Sequence, residues 1–191
     1  GFNKNFMFSD LIVYNSSYPI DDLSAEDLAW SAIGQGRVLA TPLHMALIAS
    51  VVANGGVMNE PQLVKSVTTA QGGNRALLSH ASSKRVISAG VAARLESEMI
   101  RAVKSGTGRR AALDNGYVVA GKTGSGEKPG EAATGWFCAY APADDPKYVI
   151  AAVVEKGGFG ATSAMYAVRD TLGAIDDQPD NASSGSDTSL N

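Results

Sequence analysis

Along the 191 residues the spacing of apolar positions changes several times, and each change predicts an element. From Gly1 to about Asp22, Phe2, Phe6 and Phe8 stand among turn formers with no sustained period. This predicts irregular chain whose rings need a partner surface. "SAEDLAWSAIGQG" opens on Ser24-x-x-Asp27, a capping-box pattern, and closes on Gly34-Gln35-Gly36, so a short helix running into a tight loop is expected. In "TPLHMALIASVVANGG", Thr41 is a good N-cap, Pro42 fills the first helical position, where no N–H is needed, and Asn54-Gly55-Gly56 supplies the stop. Leu43, Leu47, Ile48 and Val51 make that helix apolar on nearly every side, which predicts burial.

"PQLVKSVTT" reads as a strand. "SAGVAARLESEMIRAVKSGTG" reads as an amphipathic helix with Val91, Leu95, Met99 and Ala102 at helical spacing, ended by Gly106. Three strand signals follow, "YVVAGKTG", "GWFCAYA" and "KYVIAAVVEKG", the last two joined by "PADDP", a turn that favours an antiparallel hairpin. "ATSAMYAVRDTLGAI" is a closing helix, and "DDQPDNASSGSDTSLN" has the composition of a disordered tail. The expected fold class is therefore α+β, an antiparallel β-sheet flanked by helices, with one folded unit over 1–175 and a tail over 176–191.

A hydrophobic share of 45% with 18% charged residues agrees with one globular unit. The formal net charge is -3, yet Asp176, Asp177, Asp180 and Asp187 all lie in the tail; without them 15 acidic residues face 16 basic ones. So near-neutral a body presents no electrostatic case for nucleic acid, and Arg109-Arg110 reads as a solvated loop. Cys138 is the only cysteine, which excludes a disulfide framework and a paired metal site; between the apolar neighbours of "WFCAY" it reads as a small buried hydrophobe. The chain starts at Gly1 and shows neither a signal peptide nor an apolar run near the roughly 20 residues that cross a bilayer. A piece of a longer protein is expected, with any membrane anchor upstream.

The candidate chemistry lies in "VVAGKTGSGEKPG". Side chains alternate along a strand, so Thr123 and Ser125 face one side, a pair of hydroxyls suited to an anion, while Lys122 points to the other side or along the edge. Gly121, Gly124 and Gly126 remove side chains that would hold off a ligand backbone. Taken locally, the stretch reads first as a strand that simply ends in glycines. His44, on a buried helix, and His80, after the strand-like "RALLS", lack a Ser/Asp arrangement around them and read as core or surface residues. Gly34-Gln35-Gly36 has no following Gly-Lys-Ser/Thr and no preceding strand, so it is not a phosphate loop. Trp136 reads as sheet packing.

Taken in order and spacing, "SAIGQGRVLATPLHMALIASVVANGG", "EPQLVKSV", "MIRAVKSGTG", "VVAGKTGSGE" and "GWFCAYAP" resemble the second half of a penicillin-binding protein transpeptidase domain. The likeness is to the class B, monofunctional type of actinobacteria and other Gram-positive bacteria, and it runs from about Leu28 to Ile175. That family belongs to the serine acyl-transferases marked by Ser-x-x-Lys, Ser-x-Asn and Lys-Thr-Gly. Only the third motif stands here in a credible setting. The resemblance implies that Lys122 faces the catalytic serines and lysine from the sheet side. Thr123 and Ser125, with Gly124 between them, bind the terminal carboxylate of a D-Ala-D-Ala stem peptide or of a β-lactam, and the Ser125 backbone N–H is one of two oxyanion donors. Ser125 replaces the usual threonine and keeps both the hydroxyl and the N–H.

By the same resemblance the nucleophilic serine and its base lysine belong to an upstream helix that this chain lacks. Ser125-Gly126-Glu127-Lys128 satisfies Ser-x-x-Lys only formally, in a Gly/Pro-rich loop, and Ser189-Leu190-Asn191 satisfies Ser-x-Asn only in the tail. Glu127 is expected to be structural, and Gly-Gln-Gly a structural turn beside the cleft. The implied activity of the intact protein is D,D-transpeptidation in cell-wall synthesis without a cofactor, extracytoplasmic and membrane-anchored, with these residues alone inactive. A β-lactam sensor or serine β-lactamase of the same superfamily, or a non-catalytic module, remains open. Without its other half the chain is expected to expose apolar surface on the 41–54 helix and near its aromatic N-terminus, and so to dimerise, swap elements or persist only beside that half.

Overall fold

The computed structural model describes residues 1–4, 13–64, 66–70, 73–77 and 82–176. Its centre is a three-stranded antiparallel sheet of β5 (Ala120–Gly126), β6 (Thr134–Ala141) and β7 (Tyr148–Val154), in the order β5-β6-β7. The hairpin signal in "PADDP" is confirmed, with Ala141 paired to Tyr148. Around this sheet lie helices α1 (Ala25–Ala32), α2 (Pro42–Ala53), α3 (Ala89–Ser105) and α4 (Ala164–Asp176). Two short antiparallel pairs stand apart: β1 (Val57–Asn59) with β4 (Ser83–Arg85), and β2 (Ser66–Thr68) with β3 (Asn74–Leu77). The architecture is the α+β class expected.

The pleat of β6 divides the core in two. Phe137, Ala139 and Ala141 face one side, where Val103 of α3 and Met165, Val168 and Leu172 of α4 close over them. Tyr140 faces the other, against Val52 of α2 and the partly buried Met99 and Ile100 of α3. A central strand covered on both faces cannot leave its polar groups unpaired, and the completely buried Tyr140 hydroxyl donates to Glu96 Oε2 at 3.1 Å. Burial, and next the Glu96 charge, push the Tyr140 phenol well above its ordinary value, so it remains a donor.

The helix caps follow the sequence. Asp27 N donates to Ser24 Oγ at 3.0 Å while the Asp27 carboxylate accepts from Ser24 N at 3.2 Å, which completes the capping box. His44 N donates to Thr41 Oγ1 at 3.2 Å, with Pro42 first in the helix. At the other end of α2, Gly56 lies at φ 98°, and a Cβ there would strike the Ile87 carbonyl, so the turn requires glycine.

Three expectations change. The stripe of α3 expected over Val91, Leu95, Met99 and Ala102 is met only in its second half: Met99 and Ala102 are half-buried and Ala92 and Val103 buried, whereas Val91 and Leu95 are exposed. The stripe turns by one position because Glu96 belongs to it, held inward by Tyr140. The strand expected over 61–69 is ordered as strand only from Ser66 to Thr68. Pro61 has no N–H to give, and Gln62 Nε2 takes the Val64 carbonyl at 3.1 Å, which diverts that backbone from a ladder. Lastly, α2 does not carry the exposed apolar surface, since Leu47, Val51 and Val52 are buried and Leu43 and Ile48 half-buried. Exposure falls on Tyr14, Ile20, Leu28, Trp30, Ile33 and Leu39, and α1 has no buried residue.

Among the described residues of the irregular N-terminus, Asn3 brackets the Tyr18 backbone, Phe2 packs on the His44 ring at 4.7 Å, and Thr41 N donates to buried Ser16 Oγ at 2.9 Å. Phe6, Phe8 and His80 lie outside the described residues, as does the expected tail beyond Asp176, the last residue of α4. Among the described residues no helix is long and apolar enough to cross a membrane.

Candidate active site

β5 is an edge strand, and its backbone direction is set by its register with β6, Lys122 opposite Cys138, Thr123 opposite Phe137 and Ser125 opposite Gly135. In an antiparallel ladder the N–H and C=O of one residue point to the same side, and successive residues alternate. The carbonyls of Thr123 and Ser125 both receive side-chain donors in place of a neighbouring strand, Lys122 Nζ of β5 itself at 2.7 Å and Gln35 Nε2 at 2.9 Å. The N–H groups of Thr123 and Ser125 therefore face the free edge too. Lys122, on the opposite side of the pleat, curls over that edge and brings its ammonium to the same place.

The hydroxyls of Thr123 and Ser125 share a face, as alternation predicts, and each is held. Thr123 Oγ1 lies 2.9 Å from Thr107 Oγ1, and Ser125 Oγ accepts from Gly160 N at 3.3 Å. Gly160 sits in a single 3-10 turn over the β5–β6 pair, so close that a Cβ would strike the carbonyls of Trp136 and Gly124. Because Ser125 uses its oxygen as acceptor, its proton stays available to an incoming anion. The glycines divide their work otherwise than expected. A Cβ on Gly121 would lie 2.6 Å from Phe137 Cζ, so Gly121 makes room for a core ring, not for a ligand; a Cβ on Gly124 would lie 3.3 Å from Trp136 Cβ.

Two residues to which the sequence assigns no side-chain role belong to this edge, one of them in the Gly-Gln-Gly turn expected beside the cleft. Thr107 lies in "SGTG" at the end of α3, and a hydroxyl between two glycines after a helix was its only signal. Gln35 had a stronger one, a polar residue between glycines that both take positive φ, Gly34 at 74° and Gly36 at 71°. Its carboxamide bridges 90 positions of sequence to reach Ser125 O, and its Oε1 accepts from Glu127 N at 3.1 Å. The Gly-Gln-Gly turn is thus built onto the Lys-Thr-Gly strand, and Glu127 takes part through its backbone.

The remaining candidates fall away from the edge. Ser125 and Lys128 do not share a helix, since Ser125 is in β5 and Lys128 follows the strand's end. Ser189-Leu190-Asn191 lies outside the described residues. His44 is buried under Phe2, and burial, with the N-terminal ammonium second, holds it below the usual imidazole range. Cys138 is half-buried instead of fully buried, and burial pushes its thiol up to about 11, so it is not a thiolate at neutral pH. Trp136 is half-buried in the sheet, and Arg110 is tied to Tyr166 Oη at 2.8 Å. Among the described residues no three His, Cys, Asp or Glu side chains gather to hold a metal ion.

Residues 4–173 match the family model of the penicillin binding protein transpeptidase domain, and the chain belongs to that family. It is 34% identical over 151 residues to the peptidoglycan D,D-transpeptidase PbpA of Mycolicibacterium smegmatis, a match covering 77% of this chain and 30% of that protein. Its fold is similar to penicillin-binding protein A from M. tuberculosis, solved as an imipenem acyl-enzyme complex, with a TM-score of 0.80 and 32% identity over 92% of this chain and 40% of that one. It is also similar to the D,D-transpeptidase domain of a peptidoglycan glycosyltransferase from Eggerthella lenta, with a TM-score of 0.77 and 36% identity over 92% of this chain and 45% of that one. The chain therefore spans less than half the length of these relatives.

Proposed function

We propose that these residues form the sheet wall of a serine D,D-transpeptidase site, which receives the D-Ala-D-Ala end of a peptidoglycan stem peptide and takes β-lactams in the same place. The free edge of β5 carries the reading: outward backbone N–H groups at Thr123 and Ser125, two hydroxyls on one face and one ammonium at the rim. An extended peptide ending in a carboxylate fits that set by strand addition, with Thr123 and Ser125 on the carboxylate. Lys122 supplies positive potential, and the Ser125 N–H is one donor to the oxyanion of the tetrahedral intermediate.

The nucleophilic serine and its lysine base come from residues outside this chain, since its one Ser-x-x-Lys is divided between a strand and a loop. In the intact protein the serine attacks the penultimate carbonyl, the lysine takes its proton, and the terminal D-Ala leaves with a proton as the amide bond breaks. A neighbouring stem's amine then displaces the serine. The folded unit over 1–175, an extracytoplasmic location and a membrane link through an upstream segment belong to the same proposal, supported by relatives whose names place them on peptidoglycan.

Fluorescent penicillin tests it on the natural full-length polypeptide that contains these residues. Covalent labelling is expected there and not on the 191-residue chain, and Lys122→Ala should slow labelling on the order of a hundredfold, as loss of an electrostatic group at an oxyanion does. Undiminished labelling of Lys122→Ala, or label on a serine of the isolated chain, would refute the assignment.

A further inference from the structure

We propose that Gln35 is a positioning residue that closes the downstream end of the β5 edge and fixes the backbone beyond the Ser125 N–H; this rests on the transpeptidase reading above. Its carboxamide donates to the carbonyl of Ser125 and accepts from the N–H of Glu127, two residues on. Those are the two groups that one residue of a neighbouring parallel strand would bond, N–H to the carbonyl of residue i and C=O to the N–H of residue i+2. One side chain therefore imitates one residue of a strand, and it occupies the edge at 125–127 without adding a strand there.

Two consequences follow from the geometry. An extended substrate can reach the outward N–H groups of Thr123 and Ser125, but the Ser125 carbonyl and the next outward N–H, at Glu127, are taken by Gln35, so the groove ends at the Ser125 N–H. The peptide planes that follow Ser125 are held from outside by Gln35, while β6 holds the strand from inside through the neighbouring pairs, Gly124 with Trp136 and Gly126 with Thr134. Gln35 is itself held: its N–H donates to the Trp30 carbonyl at 3.0 Å, and a Cβ on Gly36 would approach Trp30 Cβ to 3.1 Å, so the turn is fitted against the end of α1. Gln35 meets Ser125 at its backbone carbonyl, not at its hydroxyl or its N–H. Its effect on the reaction passes through the Ser125 backbone.

The first test uses the full-length polypeptide and is independent of activity. Amide exchange at Glu127 should accelerate at least tenfold in Gln35→Ala, with amides of the β6–β7 ladder unchanged; equal exchange at Glu127 would overturn the contact. The second uses the full-length polypeptide and the kinetics of penicillin acylation, divided into initial binding and the rate at saturation. Gln35→Ala should lower the saturating rate at least tenfold and change binding less than threefold. Gln35→Glu keeps the acceptor for Glu127 but sets a carboxylate oxygen against the Ser125 carbonyl, and should be slower still. Saturating rates equal to wild type in both variants would overturn the inference, as would losses matched by a parallel fall in melting temperature. Failure of the wild-type polypeptide to acylate would instead remove the transpeptidase reading itself, and the positioning role with it.

Discussion

The sheet and the N-terminal third of the chain are held by different means, although both contribute to the β5 edge. In the sheet, Phe137, Ala139 and Tyr140 are completely buried and both faces are packed by helices. In the segment from Tyr14 to Leu39 the apolar residues Ile20, Leu28, Trp30, Ile33 and Leu39 are exposed, α1 has no buried residue, and among the described residues the segment reaches the rest of the fold through side-chain hydrogen bonds of Ser16, to Thr41, and of Gln35, to Ser125 and Glu127. Burial energy thus fixes where β5 runs, while hydrogen bonds from a weakly anchored turn fix how its last residues are presented. Local opening of the second region need not unfold the first.

The sharpest contrast is between two aromatic truncations. Phe137→Ala removes a ring from the centre of the core and should cost about 3–5 kcal/mol. Trp30→Ala, at a ring 48% exposed on α1, should cost about 1 kcal/mol, the centre of ordinary point changes. Denaturant unfolding of the 191-residue chain measures both. Comparable losses in the two variants would mean that α1 is packed as the sheet is, and the distinction between the regions would fall.

That distinction also marks what the sequence made legible. The caps at Ser24 and Thr41, the glycine stop of α2 and the β6–β7 hairpin are local devices, coded within a few residues, and all appear where expected. The family was legible because its motifs keep their order. What sequence could not show are the pairings between distant segments. The face of α3 was misplaced because Glu96 looks solvent-facing until Tyr140, 44 positions away, supplies a buried donor. Gly121 was assigned to a ligand when the partner that forbids a Cβ is Phe137 across the ladder. The Gly-Gln-Gly turn lies beside the cleft as expected, but the side-chain contacts of Gln35 and of Thr107 are not legible, because their partners lie 90 and 16 positions away.

A smaller effect should come from the Tyr140–Glu96 pair. Tyr140→Phe keeps the ring and removes the donor, leaving the half-buried Glu96 carboxylate to seek water, at about 1 kcal/mol. Glu96→Gln retains an acceptor for the phenol and should cost less, and a double variant shows whether the two losses are shared. Fully additive losses would mean the hydrogen bond contributes nothing to the junction of α3 and the sheet.

The hold of the N-terminus on α2 should respond to acid. Burial depresses the His44 imidazole below its ordinary value of 6.5, so the folded chain binds this proton less readily than the unfolded chain. Above that value both states are neutral and His44 adds no pH dependence. As pH falls through 6.5 towards the folded value, the unfolded state takes up the proton first and stability is lost. Melting temperatures between pH 8 and pH 5 should fall more steeply for the wild type than for His44→Gln, which cannot titrate. Parallel curves would place His44 in a solvated setting.

The smallest expected change separates local from global order most cleanly. Ser24→Ala removes the hydroxyl half of the capping box, a loss of about 0.5–1 kcal/mol to the helix. Because α1 buries nothing, that loss should fall on α1 alone and leave the unfolding midpoint of the sheet nearly unchanged. The end of α1 nevertheless carries the turn, since the Trp30 carbonyl accepts from the backbone N–H groups of Ile33 and Gln35. A frayed α1 should therefore release the Gln35 carboxamide more often and hasten amide exchange at Glu127, with β6 and β7 unaffected. If Ser24→Ala lowers the global midpoint and leaves Glu127 protected, α1 and the sheet unfold as one unit, and the presentation of Ser125 is governed by the core after all.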